Sequence, residues 1–495
     1  MRYLAVINIG SYEISLTVAE VKGDQRRVLE RISSTLALGS DTYRIGRISA
    51  AKTATLIDHL EQFKQKLKEY PATELVVLGT SALFEASNRY LVCDQIKRRL
   101  GIDVLLCNKN QEMAYNHLAV RSSYANFAAD AEEGLLICEI GYGSVQLSLF
   151  FEGELSFSQN LRLGTLRLRE HLRDLAPSSD YVNLIKEYVA GDLQHFQSFA
   201  AKRTEIKHLI IMGASVNNWQ MTHSGSTYPV PLTIDECRSI EEKLLRQQDY
   251  SSLILPTITL IEQTLLSTGV ERAVLLPDSF SDGVIYHLQQ IKDMEVLSSE
   301  ICEEAISSAK RIASRYRTDK RHVNTVVRLA MSIFDQLQSL HRLNQHDRLL
   351  LEIACTLHNI GKYFSMYEDQ DISFTLLRAV ELSGMSDDDL STIALLVRLH
   401  RGNFYTDQYY RALQPAEQIR LTKLLSILVL ANAADASHSR KIKQIQLRRN
   451  KDQLNIKLFS EQNISLELNA IQRELPVFAD LYGLTVKVKQ EKYDA

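Results

Sequence analysis

Residues 135–150 read LLICEIGYGSVQLSLF, and this stretch decides the fold. Gly-Tyr-Gly-Ser at 141–144 interrupts an apolar run, after which apolar residues alternate along the chain. The pattern predicts two strands joined by a tight glycine turn. Glycine lets backbone N–H groups approach an anion, and Ser144 adds a hydroxyl donor, so a phosphate is the expected guest. An ordinary hairpin with glycine in its turn would show the same letters.

The same pattern recurs at the start of the chain. Residues 3–21 read YLAVINIGSYEISLTVAEV, with a turn at Gly10 and Ser11 between two apolar strands. A third turn, Gly213 to Ser215, follows the apolar run 209–211. The repetition predicts two similar half-domains that face each other across a phosphate-sized cleft.

Composition describes an ordinary globular chain. Its 495 residues predict three or four domains, and a net charge of −3 gives no general attraction to nucleic acid or to anionic membranes. The six cysteines are scattered without a CxxC pair, which is typical of a reducing compartment. No apolar run is long enough to span a bilayer and the N-terminus is not a signal peptide, so we expect a cytoplasmic protein.

Strand and helix patterns divide the chain into four predicted domains. Strands alternate with helices up to about residue 290, which indicates an α/β sheet covered on both faces. We expect half-domains at 1–125 and 126–295, an all-α domain at 296–440 and a small α+β domain at 441–495. Residues 39–46, after the third strand, are predicted to form a polar loop.

Short motifs follow one order along nearly the whole chain: Asn8-Ile9-Gly10-Ser11, Gly79-Thr80-Ser81-Ala82-Leu83, Gln111-Glu112-Met113-Ala114, Glu139-Ile140-Gly141-Tyr142-Gly143-Ser144, Leu161-Arg162-Leu163-Gly164, Gly213-Ala214-Ser215 and Asp282-Gly283-Val284. In this order and spacing they resemble the exopolyphosphatase and guanosine pentaphosphate phosphohydrolase (Ppx/GppA) family of the actin-like ATPase superfamily. The resemblance implies two actin-like, ribonuclease H-like half-domains around a cleft. It also implies an enzyme that cleaves terminal phosphoanhydride bonds of polyphosphate or guanosine pentaphosphate with Mg2+.

Candidate site residues lie in the turns and beside them. A helix start stabilises the charged form of Glu112, and the resemblance implies that this glutamate orients or deprotonates the attacking water. A plain helix-start glutamate would look the same. Glu139, at the mouth of its turn, is the expected Mg2+ ligand. The expected phosphate-binding residues are Gly10, Ser11, Gly141, Gly143, Ser144, Gly213 and Ser215.

The helical region resembles the HD-type metal phosphohydrolase fold. His322 and His358 occupy its histidine positions, but Asn359 and Asn432 stand where that fold has aspartates. An amide oxygen is a neutral and weaker ligand, so we predict that this degenerate site binds no catalytic metal. These histidines, together with His400, are then expected to pack or hydrogen-bond.

Several positions depart from the family pattern and support a second hypothesis. Phe84 replaces an arginine, Tyr142 a glycine, Gln146 a glutamate and Tyr12 an asparagine, while Glu139 replaces an aspartate. Losing the arginine removes a bidentate phosphate contact. The alternative is therefore a weakened or inactive member that senses polyphosphate or guanosine tetra- and pentaphosphate. A kinase is less consistent, since nothing resembles a sugar pocket, and a homodimer remains open.

Overall fold

The computed structural model of the chain describes residues 2–71, 73–172, 180–200, 205–217, 230–247, 252–277, 279–291, 293–294, 296–401 and 404–492. The chain folds into two compact units, Met1–Glu304 and Ala305–Ala495. The first unit contains two larger sheets, and the second contains helices and a small sheet.

The first sheet is built from the N-terminal strands, β1 Arg2–Ile9, β2 Glu13–Lys22, β3 Gln25–Thr35, β4 Glu74–Gly79 and β5 Leu105–Leu106. Its order is β3-β2-β1-β4-β5. The first three strands form an antiparallel meander, and β4 and β5 continue the sheet in parallel beside β1. The central strand β1 is therefore flanked by one antiparallel and one parallel neighbour.

The second sheet repeats this arrangement with β6 Leu135–Ile140, β7 Val145–Phe151, β8 Glu154–Leu161, β9 His208–Met212, β10 Val230–Thr233 and β11 Arg272–Leu275. Its order is β10-β11-β9-β6-β7-β8. Strands β6, β7 and β8 form the meander, and β9 and β11 add in parallel beside β6. Both β6 and β7 are buried along nearly their whole length, as strands covered by helices on both faces are. The predicted α/β fold of two similar halves is confirmed.

Helices cover these sheets at α1 Leu38–Ile45, α2 Ala50–Lys66, α3 Ser81–Glu85, α4 Arg89–Leu100, α5 Lys109–Ser123, α6 Phe127–Glu133, α7 Thr165–His171, α8 Tyr181–Ala200, α9 Ile234–Arg246, α10 Ile254–Thr268 and α11 Phe280–Gln290. Helix α11 follows the second sheet in sequence but packs against α5 and β1 of the first half. The chain thus returns to the first half before it enters the second unit. The domain boundaries at 125 and 295 remain predictions.

The polar loop predicted at residues 39–46 is wrong. These residues form α1, whose buried side includes Asp41 and Thr42. Thr42 Oγ1 donates to the Ala82 carbonyl at 3.0 Å, and Asp41 accepts from the Ser49 N–H at 3.0 Å. Tertiary partners thus satisfy polar groups that in sequence look like a solvated loop. The helix also carries Tyr43, whose hydroxyl lies 2.7 Å from Ser11 Oγ.

The second unit is mainly helical, with α12 Ser299–Arg315 leading into it, followed by α13 Lys320–Gln336, α14 Gln338–His341, α15 Gln345–Leu357, α16 Asp369–Leu377, α17 Asp387–Leu399, α18 Gln408–Arg411, α19 Pro415–Ala433 and α20 Ser465–Tyr482. Strands β12 Gln444–Asn450, β13 Gln453–Phe459 and β14 Thr485–Glu491 form the small C-terminal sheet. The predicted helical domain followed by an α+β segment is confirmed. Within the described ranges, no helix has the length and apolar character needed to cross a membrane.

Candidate active site

The two hairpin turns at the centre of the sheets have the same internal hydrogen bond. Gly10 N–H donates to the Glu13 carbonyl at 3.0 Å, and Gly141 N–H donates to the Ser144 carbonyl at 3.0 Å. In each half the turn joins the first two strands of the meander. The repeated sequence pattern therefore produces a repeated structure.

These two turns lie against each other across the two halves. A Cβ atom added at Gly143 would lie 3.0 Å from Ser11 Oγ and 2.1 Å from the Tyr43 hydroxyl oxygen. Ser11 Oγ and the Tyr43 hydroxyl are 2.7 Å apart and share a hydrogen bond. Only glycine fits at 143 without displacing these groups, so the two turns are in close contact.

The third turn, Gly213 to Ser215, contacts the Gly141–Ser144 turn and the strand before it. Gly213 has a φ of +122°, a backbone conformation that favours glycine. The Ser215 hydroxyl donates to the Ile140 carbonyl at 2.6 Å, and the Tyr142 hydroxyl donates to the Ala214 carbonyl at 3.3 Å. All seven predicted phosphate-binding residues therefore lie in three neighbouring turns. Phosphate binding by them stays a prediction, and the Ser215 hydroxyl is already engaged with a carbonyl.

Glu112 lies in the first turn of α5, as predicted, and it forms an ion pair. Asn108 caps this helix and forms a capping box with Gln111. Lys109 Nζ lies 2.6 Å from Glu112 Oε2 and 2.6 Å from Ser81 Oγ. The Ser81 hydroxyl also donates to Glu112 Oε2, at 3.4 Å. Glu112 and Lys109 are 13% and 25% exposed, so the pair is largely withdrawn from water.

Glu139 belongs to the same electrostatic cluster. Its Oε1 atom lies 2.9 Å from the position that a Cβ of Gly141 would occupy. Burial and the Glu112 charge raise the pKa of Glu139, and the Lys109 charge opposes this rise. Burial lowers the pKa of Lys109, but the Glu112 and Glu139 charges outweigh it and raise that pKa overall. The Lys109 ammonium thus pairs with Glu112 and acts electrostatically on Glu139, which lies beside the Gly141 turn.

The residues around Glu139 do not fit a resident Mg2+ ion. Mg2+ requires oxygen ligands in nearly octahedral geometry, usually from carboxylates, water and phosphate. Here the neighbouring carboxylate of Glu112 already binds the Lys109 ammonium at 2.6 Å. A dication next to that ammonium would be repelled by it. In the part of the chain that the structure describes, no three histidine, cysteine, aspartate or glutamate side chains are arranged to hold a metal.

Arg167 and Tyr43 form a cluster that contacts the Gly141–Ser144 turn. The Arg167 guanidinium lies 3.8 Å from the centre of the Tyr43 ring. Its Nε donates to the Gly143 carbonyl at 2.8 Å, and its Nη2 donates to both Glu85 oxygens at 2.9 and 2.8 Å. This arginine therefore holds a hydrogen-bonded turn and a neighbouring helix together.

The side chains that depart from the family pattern contact other residues nearby. The Tyr12 and Tyr142 rings pack against each other with centroids 4.9 Å apart. Gln146 accepts from Asn160 Nδ2 at 3.0 Å and is buried. The Phe84 ring lies 5.4 Å from the Arg89 guanidinium. These side chains are built into the local packing.

The HD-like histidines of the second unit are gathered in one buried cluster. His322 Nδ1 donates to Asp435 at 2.8 Å, and His358 Nδ1 donates to the Cys355 carbonyl at 2.7 Å. The Nε2 atoms of His322 and His358 are 3.3 Å apart. His400 Nδ1 donates to the Val397 carbonyl at 2.6 Å. Burial lowers the pKa of His400 to about 3, so this ring is neutral.

Asn359 presents a donor to these histidines. Its Nδ2 donates to His358 Nε2 at 2.8 Å, while its Oδ1 accepts from Arg401 at 3.0 Å. Arg401 also pairs with Asp369 at 3.0 Å. The amide oxygen that could have ligated a metal therefore faces an arginine. Asn432, half-buried in the last turn of α19, is the other replaced aspartate. The absence of a metal here stays a prediction, and the Arg401 contact gives it a physical reason.

Sequence reasoning missed four residues of the site. Tyr43 lies in the segment that was predicted to be a loop, so it was not considered. Arg167 follows the Gly164 turn, and its contacts with other segments cannot be seen in the sequence. Ser81 has a φ of +30°, an uncommon backbone conformation for a residue other than glycine. Lys109 could have been found, because it stands three residues before Glu112 at a helix start, a spacing that brings side chains together.

Comparisons with known proteins agree with this architecture. The model described as Ppx/GppA phosphatase family matches residues 17–260, and the model described as Ppx/GppA phosphatase, domain III, matches residues 306–476. A guanosine-5'-triphosphate,3'-diphosphate pyrophosphatase from Aeromonas hydrophila is 22% identical over 444 residues, 86% of each chain.

Two further similarities involve exopolyphosphatases. Exopolyphosphatase 1 from Mycobacterium tuberculosis is 27% identical over 192 residues, covering 38% of this chain and 55% of that protein. The crystal structure of an exopolyphosphatase from Cytophaga hutchinsonii aligns with 58% of this chain and 98% of its own, with 19% identity and a TM-score of 0.49. The relatives named here are hydrolases of phosphoanhydride bonds. The chain belongs to the Ppx/GppA phosphatase family.

Proposed function

We propose that this chain removes the terminal phosphate from inorganic polyphosphate or guanosine pentaphosphate. The observation that carries the proposal is the meeting of the Gly10, Gly141 and Gly213 turns beside the Glu112 and Glu139 carboxyl groups. Three glycine turns can direct several backbone N–H groups at one anion. The names of the relatives, a guanosine pyrophosphatase and an exopolyphosphatase, support the substrate class.

Glu112 is the proposed general base. It would accept a proton from a water molecule positioned in line with the terminal phosphorus. The water oxygen then bonds to phosphorus, and the bond from phosphorus to the bridging oxygen breaks. The electron pair of that bond leaves with the shortened phosphate chain. Backbone N–H groups of the turns would donate to the equatorial oxygens, where negative charge is spread in the transition state.

The family and the structure differ in what they indicate about a metal requirement. Phosphatases of the Ppx/GppA family are generally metal-dependent. Mg2+ held by Glu139 was the expectation from sequence, but the Lys109 ammonium already compensates the carboxylates of this cleft. Phosphate release with Mg2+ and phosphate release with a chelator are therefore compared for each substrate.

The test is a phosphate-release assay on the full chain. Long-chain polyphosphate and guanosine pentaphosphate are supplied in turn, each with Mg2+ and with a chelator. Glu112→Gln keeps the shape of the side chain but cannot accept the proton, and should reduce release by about 100-fold or more. Glu61→Gln, an exposed glutamate on α2, is the matched control and should change nothing. Equal release by wild type and Glu112→Gln would remove Glu112 from the chemistry.

A sensor without turnover is the second candidate, and one observation favours it. The proposed base is held by an ammonium at 2.6 Å. A sensor would bind both substrates and release phosphate no faster than Glu112→Gln does. Calorimetric binding measured beside the release assay separates the two candidates.

A further inference from the structure

We propose that the Lys109 ammonium supplies the positive charge that a divalent cation would otherwise provide, so that this cleft binds a phosphate chain without metal. This inference rests on the proposed function, since it assumes that the cleft accepts a polyphosphate. It names Lys109 as a phosphate-binding residue and the donor of the site's cation.

The charges of the cleft require a cation. The Glu112 charge helps to raise the pKa of the neighbouring Glu139, and an ionised carboxylate at this place would repel a polyanion. Lys109 Nζ contacts Glu112 directly and is influenced by Glu139. A permanent positive charge inside a largely enclosed cleft attracts phosphate much more strongly than an exposed one does.

Lys109 also has a donor available. An ammonium group has three N–H donors. Among the residues that the structure describes, Nζ donates to Ser81 Oγ and Glu112 Oε2, which uses two of them. The third can reach a phosphate oxygen, as can a donor released from Glu112.

The surrounding structure holds the ammonium in place. Lys109 is the first residue of α5, which the Asn108 and Gln111 capping box fixes at its start. Ser81 begins α3 in an uncommon backbone conformation, and its hydroxyl meets Nζ at 2.6 Å. Arg167, by comparison, directs its Nε and Nη2 donors at the Gly143 carbonyl and at Glu85. Lys109 is thus the better placed cation for an incoming phosphate.

The test measures binding, which is independent of turnover. Inorganic polyphosphate is titrated into the full chain by calorimetry, once with a chelator and once with Mg2+. Wild type should show Kd values that agree within about twofold, because the charge is built into the chain. Lys109→Met should weaken binding about 10- to 100-fold in chelator, the range for losing one charged hydrogen bond, and Mg2+ should restore part of it.

Two variants complete the design. Lys109→Arg keeps the charge and should bind in chelator within about tenfold of wild type, which a purely structural role of the side chain would not predict. Lys97→Met removes an exposed lysine paired with Asp103 and should bind as wild type does. Thermal melting of each variant confirms that it folds.

Wild type alone can overturn the inference. If it binds polyphosphate with Mg2+ but loses binding in chelator, or binds in neither condition, Lys109 does not replace the metal. The same conclusion follows if Lys109→Met binds normally in chelator. Binding that persists in chelator without any phosphate release would instead refute the proposed hydrolysis and leave the role of Lys109 standing. Metal-dependent binding together with phosphate release would refute the role of Lys109 and leave the proposed hydrolysis standing.

Discussion

The contact between the two central turns predicts strong energetic coupling between Gly143 and Tyr43. In Gly143→Ala the new Cβ would lie 2.1 Å from the Tyr43 hydroxyl oxygen and 3.0 Å from Ser11 Oγ. A carbon cannot approach an oxygen to 2.1 Å, so either the turn that contains Gly143 or the Tyr43 side chain on α1 must shift. Overpacking of this kind costs about 1–3 kcal/mol, and we expect about 3 because both sides are tightly held.

The second substitution removes the clashing atom. Tyr43→Phe deletes the hydroxyl and with it the 2.7 Å hydrogen bond to Ser11, which should cost about 1–2 kcal/mol. In the double variant the added methyl group occupies the space of that hydroxyl. The Tyr43 Cζ atom would still be 3.1 Å from the new Cβ, so a cost of about 1 kcal/mol for Gly143→Ala remains. The double variant should therefore be destabilised by about 2 kcal/mol less than the sum of the two single variants.

Differential scanning calorimetry of the full chain measures this coupling. One kcal/mol corresponds to a shift of about 2–4 °C in the melting temperature of a unit of this size. Gly191→Ala is the control partner, since a Cβ at Gly191 meets nothing within 4 Å. Tyr43→Phe and Gly191→Ala should be additive within about 0.5 kcal/mol. Additive effects of Tyr43→Phe and Gly143→Ala would show that the Tyr43 hydroxyl does not pack against Gly143, and the reasoning from this contact would fail.

Three further predictions concern other charged or titratable side chains. Arg167→Lys loses the fork of bonds to Glu85 and the stacking on Tyr43, and calorimetry should show destabilisation of about 2 kcal/mol; an unchanged melting temperature would contradict this. Because burial lowers the pKa of His400 from 6.5 to about 3, the unfolded chain binds a proton first as pH falls. The free energy of unfolding should drop by about 1.4 kcal/mol per pH unit below 6.5, and less steeply in His400→Gln. The hydrogen bond that His346 donates to Asp389 raises the pKa of His346, so the stability it contributes is complete below pH 6.5 and is lost as pH rises through the raised pKa. His346→Gln should therefore remove a loss of stability above pH 6.5, and an unchanged profile there would refute the assignment.

The repeated strand and turn units were predictable because their chemistry is local. A turn that donates from Gly10 or Gly141 to a residue three positions later needs glycine and short polar residues, and these are visible in sequence. The α/β fold follows from two such units embedded in alternating strands and helices. Glu112 was also placed correctly at a helix start, since capping residues mark such positions.

The missed residues depend on partners that are distant in sequence. Tyr43 lies next to Gly143, and Arg167 reaches Glu85, so neither role can be read from its own neighbourhood. The helix that carries Tyr43 is rich in polar residues and looked like a loop, because the groups that satisfy Asp41 lie in the next segment. A long charged side chain such as Lys109 can point to several places, and tertiary contacts choose among them.

One ammonium group connects binding and chemistry in this cleft. Lys109 Nζ lies 2.6 Å from Glu112 Oε2 and therefore occupies a carboxylate oxygen that the attacking water would need. A phosphate chain carries more negative charge than one carboxylate, so its arrival draws the ammonium away from Glu112. The carboxylate oxygen is then free to accept a hydrogen bond from water at the moment when substrate is present. Water activation would follow phosphate binding, and Lys109→Met would lose this order even where Mg2+ restores affinity.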